Sequence, residues 1–411
     1  MHQHSLSKLL LTIAMVAALA MTPVAPEAGN IIYIGAGVAA IGLLRQADIT
    51  QFRRPIVWMP LLGLGLLGMA YALAVGSLSG LLGIFFFAPL LLIGPLVSLV
   101  TKVPLDGRAI AALAFCGAAG TAAVALVEYS TTGTSRVGLS VANPIHFADV
   151  ALVVGFIAVL GVIYTKGVTR YLYLAGPAFA AVAVLLSGTR GAVLAIAAMA
   201  GLALLLALAM RLISRRVLFA GGLAAILVMA VAIAGGVLET SGVQRVLLDM
   251  TAIAQEGGVP TDESTSERMQ MYTGGLAAFL DAPLVGHGPF DYVAAAAAHM
   301  TAPFSPPHLH SDLANFAASG GIMGLIAYVL FLLAPLVEVL RSAGGPERKP
   351  LIVVVSILVF GYFAMGLTNA VIGLLTLTVL YSCICVLAGG LARRSAGIDG
   401  SATHDPAVNG A

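Results

Sequence analysis

The sequence predicts an all-α, polytopic membrane protein of about twelve transmembrane helices with one large external loop. Three observations predict it. Of the 411 residues, 60% are hydrophobic and only 9% charged, whereas a soluble globular chain carries roughly 25% charged residues. Apolar runs near the length of about 20 residues that a helix needs to cross a hydrocarbon core of roughly 30 Å recur along the chain. Lysine and arginine gather between alternate runs, as cytoplasmic loops do in membrane proteins.

The runs lie at about 6–23, 30–45, 55–76, 79–101, 108–128, 145–165, 170–188, 191–210, 217–237, 311–340, 350–368 and 371–391. The second is short. The first also has the layout of a cleaved signal peptide, with Lys8 ahead of an apolar stretch and small residues near Ala25 and Ala28. With the N-terminus inside, the internal face holds Lys8, Arg45, Arg53, Arg54, Lys102, Arg108, Lys166, Arg170, Arg211, Arg215, Arg216, Arg341, Arg348, Lys349, Arg393 and Arg394. Arg136, Arg190, Arg245 and Arg268 remain outside, against the topological bias. Binding an anion on the outer face is a reason to keep them there.

This arrangement divides the chain into transmembrane helices one to nine over 1–237, an extracytoplasmic loop over 238–310, helices ten to twelve over 311–391, and a disordered cytoplasmic tail over 392–411. Within the loop, "STSE" at 264–267 has the capping-box pattern, Ser264 as N-cap and Glu267 three residues on, so a helix is expected from near Thr265. Met269, Tyr272, Leu276 and Phe279 then recur at helical spacing as an apolar stripe, for packing on the bundle or lying in the interface. In "DAPLVGHGPFDY", Pro283, Gly286, Gly288 and Pro289 end that helix in a tight turn, and a second helix is expected over about 290–299. Pro306 and Pro307 favour extended backbone through "PFSPPHLH", which would put His308 and His310 on one face. Ser311 or Asp312 can cap span ten. Arg245 and Asp249, four apart, read as a structural pair. Cys116, Cys383 and Cys385 fall inside spans and imply no disulfide framework.

Several chemistries lack their residues. There is no GxxxxGK[ST], no D-x-D and no HExxH, so direct ATP use and the usual metal and nucleotide-sugar sites are unsupported. "HLHSD" leaves a metal site open, although three or four fixed ligands would be needed. A secondary transporter buries ionisable residues near the midplane, whereas here Glu128, Asp149 and Asp312 lie towards the outer ends of their spans. Arginine presents a planar fork that matches phosphate oxygens, a helix N-terminus favours anions, and His310 is a natural proton acceptor near neutral pH. The residues alone reach an anionic lipid substrate handled from outside.

Five stretches carry a resemblance: "SRVGLSVANPIHFAD" (135–149), "LLSGTRGAVLA" (185–195), "STSERMQMYTGGLAAF" (264–279), "GHGPF" (286–290) and "HLHSDLANFAASGGIMGLIAY" (308–328). In order and register they resemble the O-antigen ligase and O-antigen polymerase superfamily of bacterial membrane glycosyltransferases, and the ligases most. The resemblance implies a GT-C-like architecture in the inner membrane with its active site facing the periplasm. It further implies transfer of a glycan from an undecaprenyl-diphosphate carrier to an acceptor, which for a ligase is the lipid A core in lipopolysaccharide biosynthesis. Carried over by position, Arg190 and Arg268 hold the diphosphate and His310 activates the acceptor hydroxyl. Arg136, His308, Ser311, Gly286 and Gly288 are further substrate-binding candidates. Membrane lipids are expected partners, and no nucleic acid, metal or cofactor is implied. His310-Ser311 stands where His-Asn is common, and "GTRG" where "SRG" is common. Alternatives are a polymerase or protein O-oligosaccharyltransferase of the same superfamily and, in a different class, a lipid or polysaccharide transporter.

Overall fold

The computed structural model describes residues 2–134, 136–212, 263–301 and 306–395, with scattered residues between 214 and 251. In chain order the helices are α1 (His2–Val16, continued by a π-helical turn, Ala17–Met21), α2 (Pro26–Ile41), α3 (Pro55–Val75), α4 (Ile93–Lys102), α5 (Gly107–Thr132), α6 (Pro144–Ala158), α7 (Leu160–Tyr164), α8 (Ala175–Ser187), α9 (Arg190–Ala209), α10 (Glu263–Asp281), α11 (Gly288–Ala297), α12 (Asp312–Arg341), α13 (Arg348–Gly366) and α14 (Leu375–Ser395). Segments of 3-10 helix at Gln46–Arg53, Leu78–Leu92 and Val168–Leu174 lead into α3, α4 and α8. No strand occurs among the described residues.

Ten helical stretches among the described residues are long and apolar enough to cross a membrane, and they fall on ten of the twelve expected runs. α2, at 16 residues, is shorter than a full crossing. Most of the run at 217–237 lies outside the described residues, as do Arg245, Asp249 and most of the tail. Local chemistry sets many of the ends. Pro26, Pro55 and Pro144 open α2, α3 and α6, where the missing amide costs nothing. Asp106 and Asn143 cap α5 and α6 by accepting the amides of Arg108 and Ile145, both at 2.9 Å. Gly76, Gly133 and Gly188 close α3, α5 and α8 in the left-handed conformation.

The core is built around α14, whose Leu377, Val379, Leu380, Tyr381, Cys383, Cys385, Val386 and Leu391 are all buried. Hydrophobic on every side, it is the kind of helix that other helices surround. Tyrosine hydroxyls tie it to its neighbours: Tyr33 pairs with Ser382 at 2.8 Å, Tyr362 donates to the Leu377 carbonyl at 2.8 Å, and Tyr381 donates to the Phe331 carbonyl. At one end of the bundle Arg54 forms an ion pair with Glu338 and donates to the Gly389 carbonyl at 2.6 Å, joining the start of α3 to the ends of α12 and α14. Lys102 meets Asp48 there at 2.7 Å. The starts of α6, α9, α10 and α12 lie at the opposite end.

α12 is not one continuous helix. Gly321 has φ 59° and ψ −148°, which breaks it in two. The turn between α10 and α11 fills the break: the Ile322 amide donates to the Pro283 carbonyl at 2.8 Å and the His287 amide to the Ala318 carbonyl at 2.9 Å. Non-helical backbone inside a membrane bundle survives only where protein satisfies its polar groups, and this turn does so. Gly286 sits at φ 65°, and a Cβ there would lie 2.5 Å from the Ser319 carbonyl carbon. Only glycine permits that approach.

Three loop expectations are corrected. α10 begins at Glu263, so Ser264 lies inside the helix instead of capping it. The stripe expected to pack on the bundle or lie in the interface splits: Met269 and Leu276 are exposed and Tyr272 and Phe279 half-buried, while the packed face is Met271, Gly274, Gly275 and Ala278. Small residues there let α11 and α12 come close: a Cβ on Gly274 would lie 2.6 Å from the Ala296 carbonyl oxygen. The residues after Pro307 do not continue extended. His310 adopts φ 48°, because the His308 Nδ1 accepts the His310 amide at 3.1 Å and Asn315 accepts the Leu309 amide at 2.9 Å, wrapping the segment around the start of α12.

Candidate functional site

The left-handed Gly188 ends α8, and after Thr189 the chain turns directly into α9, so Arg190 is the first helical residue and projects from the bundle end. Its Nη1 donates to the Thr265 hydroxyl at 3.1 Å. Thr265 is on the first turn of α10, and Arg268 and Tyr272 follow at spacings of three and four, which puts all three on one face. The Arg268 charge acts on His310 and Tyr272, and also faces Asp149. Tyr272 directs its hydroxyl to the carbonyls of His310 at 3.3 Å and Leu367 at 3.1 Å. One face of α10 thus bridges α9, the histidine segment and the 367–374 connection.

His308 and His310 stand with ring centroids 4.2 Å apart. The Nδ1 of His308 is occupied by the His310 amide, whereas the Nδ1 of His310 is buried without a hydrogen-bond partner. Burial pushes the pKa of His310 down to about 4, helped by the cationic Arg268 and by His146. His308 falls to about 4 through burial and the neighbouring His310 and His146. Both rings are therefore neutral at pH 7, the form that accepts a proton. A left-handed backbone on a non-glycine residue is uncommon and tends to mark a functional constraint.

Two carboxylates lie behind these groups. Asp149 is buried and accepts from the Asn369 amide at 2.9 Å. Asp312, also buried, does not cap its own helix as expected from sequence: its oxygens accept the amides of Val371 at 2.8 Å and Ile372 at 3.3 Å, fixing the α13–α14 connection against the start of α12. A Cβ on Gly191 would strike Thr368, so α9 packs on that same connection. Among the described residues no group of three His, Cys, Asp or Glu side chains is arranged to hold a metal ion.

The structure thus gathers Arg190, Arg268, His308 and His310 at one end of the bundle. Ser311 is buried at the N-cap of α12 and makes no capping bond with its side chain. Arg136 is exposed, in a loop held by Glu128, which accepts the amides of Gly138 at 3.1 Å and Leu139 at 3.2 Å and the Ser140 hydroxyl at 2.7 Å. Gly286 packs on the broken helix and Gly288 on Val75 and Ala74 of α3. Thr265, Tyr272, Asp149 and Asn369 join the site only in the folded structure. His146 and Asp149, three apart on one helical face, and Asn369, polar between two apolar runs, were signals available in the sequence.

Two guanidinium groups beside helix N-termini suit a phosphate-bearing anion, and a neutral imidazole next to them suits proton abstraction. No curated protein matches the chain. Residues 175–329 match the family model described as O-antigen ligase, a stretch that takes in Arg190, Thr265, Arg268, Tyr272, His308, His310 and Asp312. Over that stretch the chain is similar to the O-antigen ligase family.

Proposed function

We propose that this multi-pass membrane protein is an O-antigen ligase that moves a glycan from undecaprenyl diphosphate to the lipid A core. The observation that carries the reading is the convergence of Arg190 and Arg268, on helices joined by the 3.1 Å Arg190–Thr265 contact, with a neutral His310 inside the field of Arg268. The positive charge gathered at the Arg54 end favours the cytoplasm for that end, which turns the site to the periplasm. The 238–310 segment is then a periplasmic loop and the residues after α14 a cytoplasmic tail.

In the reaction the acceptor hydroxyl gives its proton to His310 while its oxygen attacks the anomeric carbon. The bond from that carbon to the diphosphate oxygen breaks, and undecaprenyl diphosphate leaves with the electron pair. Arg190 and Arg268 stabilise the charge that develops on the leaving group. A bound diphosphate also offsets the Arg268 field, so the imidazole becomes more basic when the donor is in place. Arg136, His308, Ser311, Gly286 and Gly288 belong to the same proposal as substrate-side positions; Gly286 and Gly288 would act through the turn they shape.

The test is transfer by the purified chain in liposomes, supplied with carrier-linked glycan and lipid A core, with and without chelator. A ligase joins the glycan to the core, whereas longer glycans that stay on the carrier identify a polymerase, and movement of glycan across the bilayer without a new bond identifies a transporter. Full activity in both Arg190→Ala and Arg268→Ala would end the assignment, and loss of transfer with chelator would replace His310 by a metal-dependent scheme.

A further inference from the structure

We infer that the α10–α11 hairpin is a membrane-docking element, with Leu276, Leu280, Leu284 and Phe290 seated in the headgroup and upper acyl region of the leaflet at the His310 end. The inference rests on the helices being transmembrane and not on the glycosyl-transfer reading.

The first argument is register. α10 runs beside the start of α12 in the same direction. Tyr272 reaches the His310 carbonyl, a Cβ on Gly275 would lie 3.2 Å from the Ala314 Cβ, and one on Gly321 would lie 2.5 Å from the Leu284 carbonyl carbon. Each turn of α10 is therefore level with a known turn of α12. From the break to the Arg54–Glu338 ion pair, residues 322 to 337 of α12 cover about 24 Å, most of one hydrocarbon thickness. The break at Gly321, and with it the turn of the hairpin, falls just inside the boundary of the apolar core.

The second argument is the exposed stripe of α10. Reading towards the turn it runs Ser266, Met269, Thr273, Leu276, Leu280 and then Leu284. Its polar residues sit level with or above the start of α12. Its lower half is leucine, exposed by 58%, 65% and 69% at Leu276, Leu280 and Leu284. The stripe changes character at the depth where α12 begins, as expected of a helix descending into an interface. Asp281, on the adjoining face, is held by His299 at 2.7 Å.

The third argument is continuity. Leu284 adjoins Ile322, and exposed apolar side chains continue down α12 through Ile326 and Val329. Phe290 follows Pro289, which packs on Gly83 of a segment where Phe85 and Phe86 are also exposed. The leucine face is the upper margin of the lipid-facing belt, which favours lipid over a protein partner as its cover.

Trp58 is the chain's one tryptophan, so Trp58→Phe gives a dark background for depth measurements. In that background, Leu280→Trp and Leu284→Trp in phosphatidylcholine vesicles should show blue-shifted emission, lose intensity to lipids brominated high on their acyl chains, and resist aqueous iodide. Thr273→Trp should behave in reverse. Leu284→Trp, on the exposed turn, carries the test if Leu280→Trp does not fold. Iodide quenching equal to that of Thr273→Trp, or insensitivity to both quenchers, which would signal a protein cover, would overturn the inference.

Discussion

Arg190 carries a proposed substrate contact beside its bond to Thr265, and separating the two roles tests the site. Replacing Arg190 by alanine removes a preorganised cation facing developing negative charge, a change that commonly costs about 10²-fold to 10³-fold in rate, or about 3 to 4 kcal/mol. Thr265→Val deletes the 3.1 Å bond to α10 while leaving the guanidinium present. A hydrogen bond to a charged partner contributes about 1.5 to 3 kcal/mol to folding. Its loss should mainly loosen α10 and lower kcat/KM by about tenfold or less, about 1.4 kcal/mol. The assay is initial-rate transfer from carrier-linked glycan to lipid A core by purified variants in liposomes, with Arg190→Lys as a third variant. Lysine keeps the charge without the planar fork, so it should fall between wild type and alanine. Should Thr265→Val lose as much as Arg190→Ala, Arg190 would be an anchor for α10, and the diphosphate assignment would be wrong.

Other expectations concern stability. The folded-state pKa of His308 and His310, about 4, lies below the ordinary 6.5, so the folded protein holds fewer protons than the unfolded chain between those values. The stability this represents is complete above pH 6.5 and is lost as pH falls towards 4, by on the order of 1 kcal/mol per ring after solvent screening. Thermal unfolding in detergent should show the fall, and His308→Asn with His310→Asn should flatten it; an unchanged slope in that variant contradicts the enclosure of the rings. Asp312→Ala strands the amides of Val371 and Ile372 in the interior, at about 1 to 3 kcal/mol each, whereas Asp312→Asn keeps an acceptor and should cost less; equal melting temperatures for the two variants would refute this. Gly321→Ala meets both a left-handed φ and the Leu284 backbone, so it should cost more than about 2 kcal/mol and lower the yield of folded protein; a wild-type melting curve would show that the break is dispensable.

The sequence by itself determined that this is a helical membrane protein and, to within a few residues, where its described spans begin and end. Those properties are local: apolar runs set spans, Pro26, Pro55 and Pro144 open helices, Gly76, Gly133 and Gly188 close them, and lysine and arginine counts orient loops. The "STSE" start was misread by two residues because the same residue pattern can fall inside a helix as well as at its start. The packed face of α10 was not legible because Gly274, Gly275 and Ala278 carry almost no hydrophobic signal, although close backbone approach is what buries them. Only the tertiary structure decided that the 283–288 turn plugs a broken α12, that Asp312 serves a connection about sixty residues away instead of its own helix, and that Asp149 and Asn369 stand behind the histidines. Each depends on backbone groups that must find partners where no water reaches, and which distant segment supplies them is settled by three-dimensional packing, which one-dimensional periodicity does not encode.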